Sequence, residues 1–373
     1  MLKRILVSST LAALVSSSLS AGDMRISGFA TVAAGMNDSD TSTYMGYDDS
    51  LSFRPDSVLG LQFNANMTDN MGAVAQVVAR STDIGQEVTL EWGYISYDFN
   101  DEVRMLAGRI RPAIFLYSNY LDVGYAYLWV RTPFEMYAQV PITNIDGANL
   151  AYTTAVGDDY EVSINGWYGN SIKPVDSAVG SFDMEFDATM GVELALSNDY
   201  FKVRAGYNQT DISALLPNAD ANMNPELKID KSLGQFYSLG FNMDYADVLV
   251  VSEYVMREID KTVMPDITSY YATLGYRMGD FTPHVTYATV ETDIPMLNTG
   301  NPGFDGPTNG ALQMSYNDSN TVTLGLRYEL NAFSALKVEY AMSDRTTKQM
   351  GDTGLTMINE DINTYKIALS AIF

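Results

Sequence analysis

The chain has 373 residues, with 46 acidic against 22 basic side chains, one histidine and no cysteine, giving a formal net charge of −24. Such an excess of negative charge excludes nucleic-acid binding through a phosphate-neutralising patch. The missing cysteines exclude a disulfide framework and thiolate chemistry. Hydrophobic residues make up 46% of the chain, but after the N-terminal stretch no run approaches the ~18 apolar residues of a transmembrane helix.

The first residues read MLKRILVSSTLAALVSSSLSAGD, with Lys3 and Arg4 ahead of an apolar stretch from Ile5 to Val15 and then small residues. This pattern predicts a secretory signal peptide over 1–21 and a single mature domain over 22–373. Removing Lys3 and Arg4 gives that domain a charge of 20 − 46 = −26.

Along the mature chain the apolar residues alternate. In VLGLQFNAN, Leu59, Leu61, Phe63 and Ala65 oppose Gly60, Gln62, Asn64 and Asn66. In TVTLGLRYEL, Val322, Leu324, Leu326 and Tyr328 oppose Thr323, Gly325, Arg327 and Glu329. Period-2 alternation predicts strands with one apolar and one polar face. The polar faces carry mid-strand charges (Arg80, Lys202, Arg204, Arg257, Arg277, Arg327 and Lys337), so that side is expected to be wet or ion-paired. Aromatics end many apolar rows beside short turns, at Phe99, Tyr160, Tyr200, Tyr245, Phe281, Phe333 and Phe373, where a membrane-interface girdle would sit.

Short connections, near 67–72, 100–102, 157–159, 198–199, 246–247, 279–280 and 331–334, alternate with long ones. The latter fall near 37–57, 81–86, 111–146, 169–182, 209–232, 259–268, 291–319 and 345–361, of which only 81–86 is not long. This rhythm predicts an all-β fold: a transmembrane antiparallel β-barrel of about 16 strands, with turns at one rim and loops at the other. Closure is required, because an open sheet edge in lipid leaves amides unpaired.

The last strand, NTYKIALSAIF, ends in Phe373 with apolar residues at every second position back to Tyr365. It resembles the terminal signature of bacterial outer-membrane barrels. With the signal peptide, the strand number and the AGR sequence (107–109) leading into a long third loop, the chain resembles the Gram-negative general porins. That resemblance implies an outer-membrane channel for small hydrophilic solutes and a homotrimer. It also implies contacts with lipid and lipopolysaccharide, insertion by the barrel assembly machinery through Phe373 and Tyr365, and a third loop folded into the pore.

The segment 111–146 is aromatic-rich, with Tyr120, Tyr125, Tyr127, Trp129, Phe134 and Tyr137. So apolar a loop is expected to avoid water. By the resemblance it carries the constriction. Glu135 is the first acidic candidate and Asp122 and Asp146 the weaker ones, with Arg131 also on the loop. Arg80 and Arg109 are the basic candidates on the opposite wall. The aromatic density also suits a sugar or other organic solute, and a plugged barrel serving as adhesin or anchor is a third reading.

Acidic loops point to mild cation selectivity. An enzyme is not expected. His284 lacks an obvious serine and acid partner, and one histidine cannot form a histidine-based metal cluster. No glycine-rich phosphate loop is present, so no cofactor is expected. The 38–49 segment, DSDTSTYMGYDD, departs from a calcium loop at Thr43 and Asp49 and reads as an acidic surface loop.

Overall fold

The alternation of the final strand sets its two faces. In β16, Tyr365, Ile367 and Leu369 are exposed, at 48, 46 and 46%, whereas Thr364, Lys366, Ala368 and Ser370 are buried. The computed structural model describes residues 24–373 except 83–84, 141, 178–179, 216–227, 261–264, 295, 297–308, 310–312, 314–315 and 352–353. The expected signal peptide lies outside the described residues.

Among the described residues sixteen strands run in chain order: β1 (Met24–Asn37), β2 (Val58–Asn66), β3 (Met71–Thr82), β4 (Gly85–Asp98), β5 (Val103–Ile110), β6 (Ile145–Val156), β7 (Tyr160–Ser177) and β8 (Gly180–Ser197), then β9 (Phe201–Leu215), β10 (Lys228–Tyr245), β11 (Val248–Ile259), β12 (Asp266–Tyr276), β13 (Phe281–Asp293), β14 (Asn317–Asn331), β15 (Ser334–Gly351) and β16 (Gly354–Ile372). Each pairs antiparallel with its sequence neighbours, and β1 pairs with β16, so the barrel is closed. The seam is tight: Phe373 and Gly28 exchange backbone hydrogen bonds at 2.7 and 2.9 Å. A Cβ built on Gly28 would lie 2.5 Å from the Phe373 ring.

The outward face is apolar, with aromatic pairs toward both ends. Tyr97–Phe99, Tyr200–Tyr245 and Phe281–Tyr328 lie beside the short turns. Tyr207–Tyr237, Tyr270–Tyr287 and Tyr340–Tyr365 lie further from those turns, on β9–β10, β12–β13 and β15–β16. An apolar band between two aromatic belts is the surface a lipid bilayer requires.

The long connections are shorter than their polarity predicts. Much of 169–182, 209–232 and 345–361 belongs to strands, because β7 reaches Ser177, β9 Leu215 and β15 Gly351. Beyond lipid both faces of a hairpin meet water. The apolar alternation then stops while the ladder of backbone hydrogen bonds continues.

Candidate functional site: the loop inside the barrel

Residues 111–144 join β5 to β6 as loop L3, and its described residues, all but 141, lie within the barrel. Entry is through Gly108, whose φ of +132° suits glycine and where a Cβ would meet the Gly93 carbonyl at 2.4 Å. L3 is held by apolar packing. Ile114, Phe115, Tyr127, Trp129 and Met136 form one buried cluster with Phe236, Val251, Val255 and Tyr271 of β10, β11 and β12. Fully burying each such side chain contributes about 1.5–3 kcal/mol. A one-turn α-helix, α1 (Phe134–Tyr137), sits in this cluster, with Met136 fully buried.

Polar latches surround that core. Lys337, fully buried, donates to the carbonyls of Gly124, Tyr127 (2.7 Å) and Trp129 (2.6 Å). Arg327 donates to the Tyr125 and Tyr127 carbonyls at 2.7 and 2.8 Å. Arg204 donates to the Ala113 and Ile114 carbonyls at 2.5 and 3.0 Å and pairs with Glu193 at 2.8 Å. Glu253 accepts from the Leu116 amide at 2.7 Å, from Tyr271 at 2.8 Å and from Tyr137. Glu339 accepts from the Val130 amide at 2.7 Å and pairs with Lys366 at 3.0 Å. Trp129 donates to Thr286 at 2.8 Å. Burial, with Glu253 or Asp122 nearby, pushes the Tyr117, Tyr127 and Tyr137 hydroxyls above the ordinary phenol range, so they stay neutral.

On β3 and β4, L3 closes a ring of charges. Arg80 pairs with Glu91 and Asp122, both at 2.7 Å, and Arg111 pairs with the same two carboxylates, both at 2.8 Å. Glu91 occupies a β-bulge opposite Gln76 and Val77, a device that re-aims side chains.

The first outer loop, L1 (residues 38–57), covers L3. Its Tyr44, Met45 and Tyr47 are buried against Ile362 and Phe134, while Asp38, Asp40, Asp48 and Asp49 are exposed. Arg131 of L3 pairs with Asp56 and donates to the Met45 and Pro55 carbonyls at 3.1 and 2.6 Å. Between L3, L1 and β3 lies a cavity of about 310 Å³, lined by Asp56, Arg80, Asp122, Arg131 and Phe134 among others.

The candidate residues therefore fall into three places. Arg80, Asp122 and Arg131 meet at this cavity. Glu135 does not face Arg80 and Arg109 across an aperture. It is buried at 2% exposure, accepting from Tyr44 at 2.9 Å and from Thr321, because α1 turns it toward β14. Arg109 and Asp146 pair with each other at 2.8 Å on the outside of the barrel. Arg109 shares its face with Ala107, which opposes the outward Ile95. The expectation failed because Leu106 and Ile110 of β5 are apolar but inward, packed with the lumen cluster around Ile142 and Trp167.

Among the aromatic candidates, Tyr127 and Trp129 are buried, Phe134 and Tyr137 half-buried, and Tyr125 stacks against Arg327. Tyr120 is exposed at 53%. Arg204, Lys337 and Arg327 are latches and not solvated lumen charges. Glu91, Arg111 and Asp56 went unrecognised in the sequence. His284 is buried, and among the described residues neither ring nitrogen has a hydrogen-bond partner. Among the described residues no group of three or more His, Cys, Asp or Glu side chains could hold a metal.

No protein-family model and no curated protein matches the chain. Solved structures do. OmpT of Vibrio cholerae, as a loop L8 deletion mutant, matches at 15% identity and TM-score 0.58, over 95% of this chain and 100% of that one. The outer membrane channel DcaP of Acinetobacter baumannii matches at 13% identity and TM-score 0.58, over 95% and 99%. The anion-selective porin from Comamonas acidovorans matches at 14% identity and TM-score 0.57, over 94% and 100%. The fold is that of the Gram-negative outer-membrane porins. Within that porin fold, L3 crosses the lumen from β10–β12 to β3, nearly opposite in a sixteen-stranded ring.

Proposed function

We propose that the chain is an outer-membrane channel for passive diffusion of small hydrophilic solutes and ions, with no catalytic role. The observation that carries this reading is the cavity of about 310 Å³ left between L3, L1 and β3, edged by charged side chains. Its rim is polar while much of L3 is packed on the wall, so a solute that enters this space meets charge. The exposed L1 acids Asp38, Asp40, Asp48 and Asp49 favour cations among small ions, since a cleft lined by one sign concentrates counter-ions.

A homotrimer fits the outer surface. The outward positions of β1, β2, β3 and β5 include Ala30, Ala65, Ala73, Ala75, Ala79 and Ala107, where short side chains allow close approach between protomers. OmpT of Vibrio cholerae is described in a trimer form. The Arg109–Asp146 pair borders this face, and a protomer contact would shield it from lipid.

The numerous ties of L3 favour a second reading, a plugged barrel. Planar-bilayer recording of the purified full chain separates them. The channel reading expects stepwise conductance; persistent silence of correctly folded protein would overturn it. Native electrophoresis against a cross-linked ladder tests the trimer.

A further inference from the structure

We propose that the cavity between L3, L1 and β3 recognises a solute bearing a single carboxylate on a compact, partly apolar body. This rests on the channel reading above. The first support is an asymmetry of exposure. The Arg80 and Arg131 side chains are each 29% exposed, whereas their partners Asp122, Asp56 and Glu91 are at 9, 3 and 3%. The carboxylates are withdrawn behind the guanidinium groups, so an entering solute meets donors.

The second support is the state of those donors. Among the described residues Arg131 uses Nε on Asp56 and one N–H from each terminal nitrogen on the Met45 and Pro55 carbonyls. One N–H remains on each terminal nitrogen. Arg80 spends Nε and one Nη2 hydrogen on Asp122, and Nη1 on Thr89 and Glu91. One Nη2 hydrogen remains. Rigid guanidinium donors match the geometry of a carboxylate and bind it more tightly than a neutral oxygen.

The rest of the lining gives the body of the solute. Leu121, Val130 and Phe134 bring apolar surface to the same cavity. Its volume of about 310 Å³ is at the low end of small-molecule sites, about 300–1,000 Å³. The mouth limits the charge. Four exposed L1 acids, Asp38, Asp40, Asp48 and Asp49, repel a dianion about twice as strongly as a monoanion, since Coulomb energy scales with charge, and a zwitterion least.

The test uses the full chain in planar bilayers with four additives of similar size: 3-phenylpropionate, phenylalanine, phenylsuccinate and the neutral 3-phenylpropanamide. Saturable block is expected from 3-phenylpropionate and phenylalanine. The amide should be weaker by about tenfold, the factor of one charge-assisted hydrogen bond, and the dianion weaker than the monoanion through repulsion by the L1 acids. Which of the first two is tighter separates a simple acid from an amino acid as the source of the carboxylate.

Arg131→Gln should weaken carboxylate block by about tenfold, and Arg131→Lys, which keeps the charge without the fork, should weaken it part-way. Arg277→Gln, at the turn-side rim beside Asp244, should block as the wild type does. Equal block by acid and amide, or wild-type block in both Arg131 variants, overturns the proposal. Absence of any wild-type conductance overturns the channel reading instead, so the two failures are distinct.

Discussion

Arg80 Nη2 lies 2.7 Å from Asp122 Oδ1, tying L3 to the wall nearly opposite the one on which its aromatic cluster packs. The tie is partly wet, with Arg80 29% exposed, so screening limits it to about 1 kcal/mol. Asp122→Asn is therefore expected to leave the barrel folded while loosening this end of L3. Single-channel recording should show larger or noisier conductance than in wild type. An unchanged trace would mean that the apolar cluster alone fixes the aperture.

Lys337 supports L3 from another side. Its ammonium satisfies three loop carbonyls and is fully buried. Lys337→Met keeps most of the length of the side chain but leaves the Gly124 and Trp129 carbonyls unpaired, at about 1–3 kcal/mol for each group left buried and unsatisfied, while the Tyr127 carbonyl keeps its bond from Arg327. L3 should become sensitive to proteolysis in folded protein, with a lower midpoint for thermal unfolding. Resistance equal to wild type would assign L3 placement to Trp129 and its neighbours.

The two faces of β14 predict opposite consequences for adjacent residues. Leu326 is outward and 38% exposed, and Arg327 is inward and 8% exposed. A lysine on the lipid face near the midplane costs about 2–4 kcal/mol, so Leu326→Lys should impair folding measured by heat-modifiable mobility. Arg327→Gln should fold and alter conductance through its lost contacts with the Tyr125 and Tyr127 carbonyls. The reverse pattern would mean a register shifted by one residue.

The barrel was readable where one face meets lipid and the other water, as in β14 and β16. It was least readable where L3 packs, because the inner wall is then apolar as well. In β11, Val251, Val255 and Ile259 are buried in the lumen while Val250 and Tyr254 lie on the opposite face, so alternation vanishes. The same effect hid the orientation of Arg109 in β5. Glu91 was missed because a bulge interrupts the period there, and Asp56 because nothing in a polar loop marks the acid that meets Arg131.

Ring closure depends on the last residue. Phe373 bonds the Gly28 backbone in both directions, and its ring lies over the space a Gly28 side chain would need. Phe373→Ser should reduce folded protein in the outer membrane and raise the periplasmic fraction. Gly28→Val should do the same by displacing the ring. Normal outer-membrane levels of both variants would show that the β1–β16 ladder closes the barrel without that contact.

Small-ion selectivity should be set at the mouth. Glu135 is buried and bonded to Tyr44 and Thr321, so it contributes little field to a passing ion. The Arg80–Glu91–Arg111–Asp122 ring carries two charges of each sign and its field falls off steeply with distance. Among the described residues no basic side chain pairs with the exposed Asp38, Asp40, Asp48 and Asp49 of L1. Hydrogen bonds from the Asn363 side chain and backbone hold the Asp38 carboxyl below its usual range, so its share of the charge persists to lower pH than that of an ordinary aspartate. Its contribution to anchoring L1 on β16 is present above the ordinary aspartate range and is lost as pH falls through the depressed value. Replacing the four aspartates by asparagine should move the zero-current potential across a salt gradient toward anion preference. The shift should shrink as ionic strength rises and the Debye length falls from about 10 Å at 0.1 M to about 3 Å at 1 M. Glu135→Gln should leave the potential in place while lowering thermal stability. A shift with Glu135→Gln and none with the L1 variant would place the selecting charge inside the barrel, on the buried side of L3.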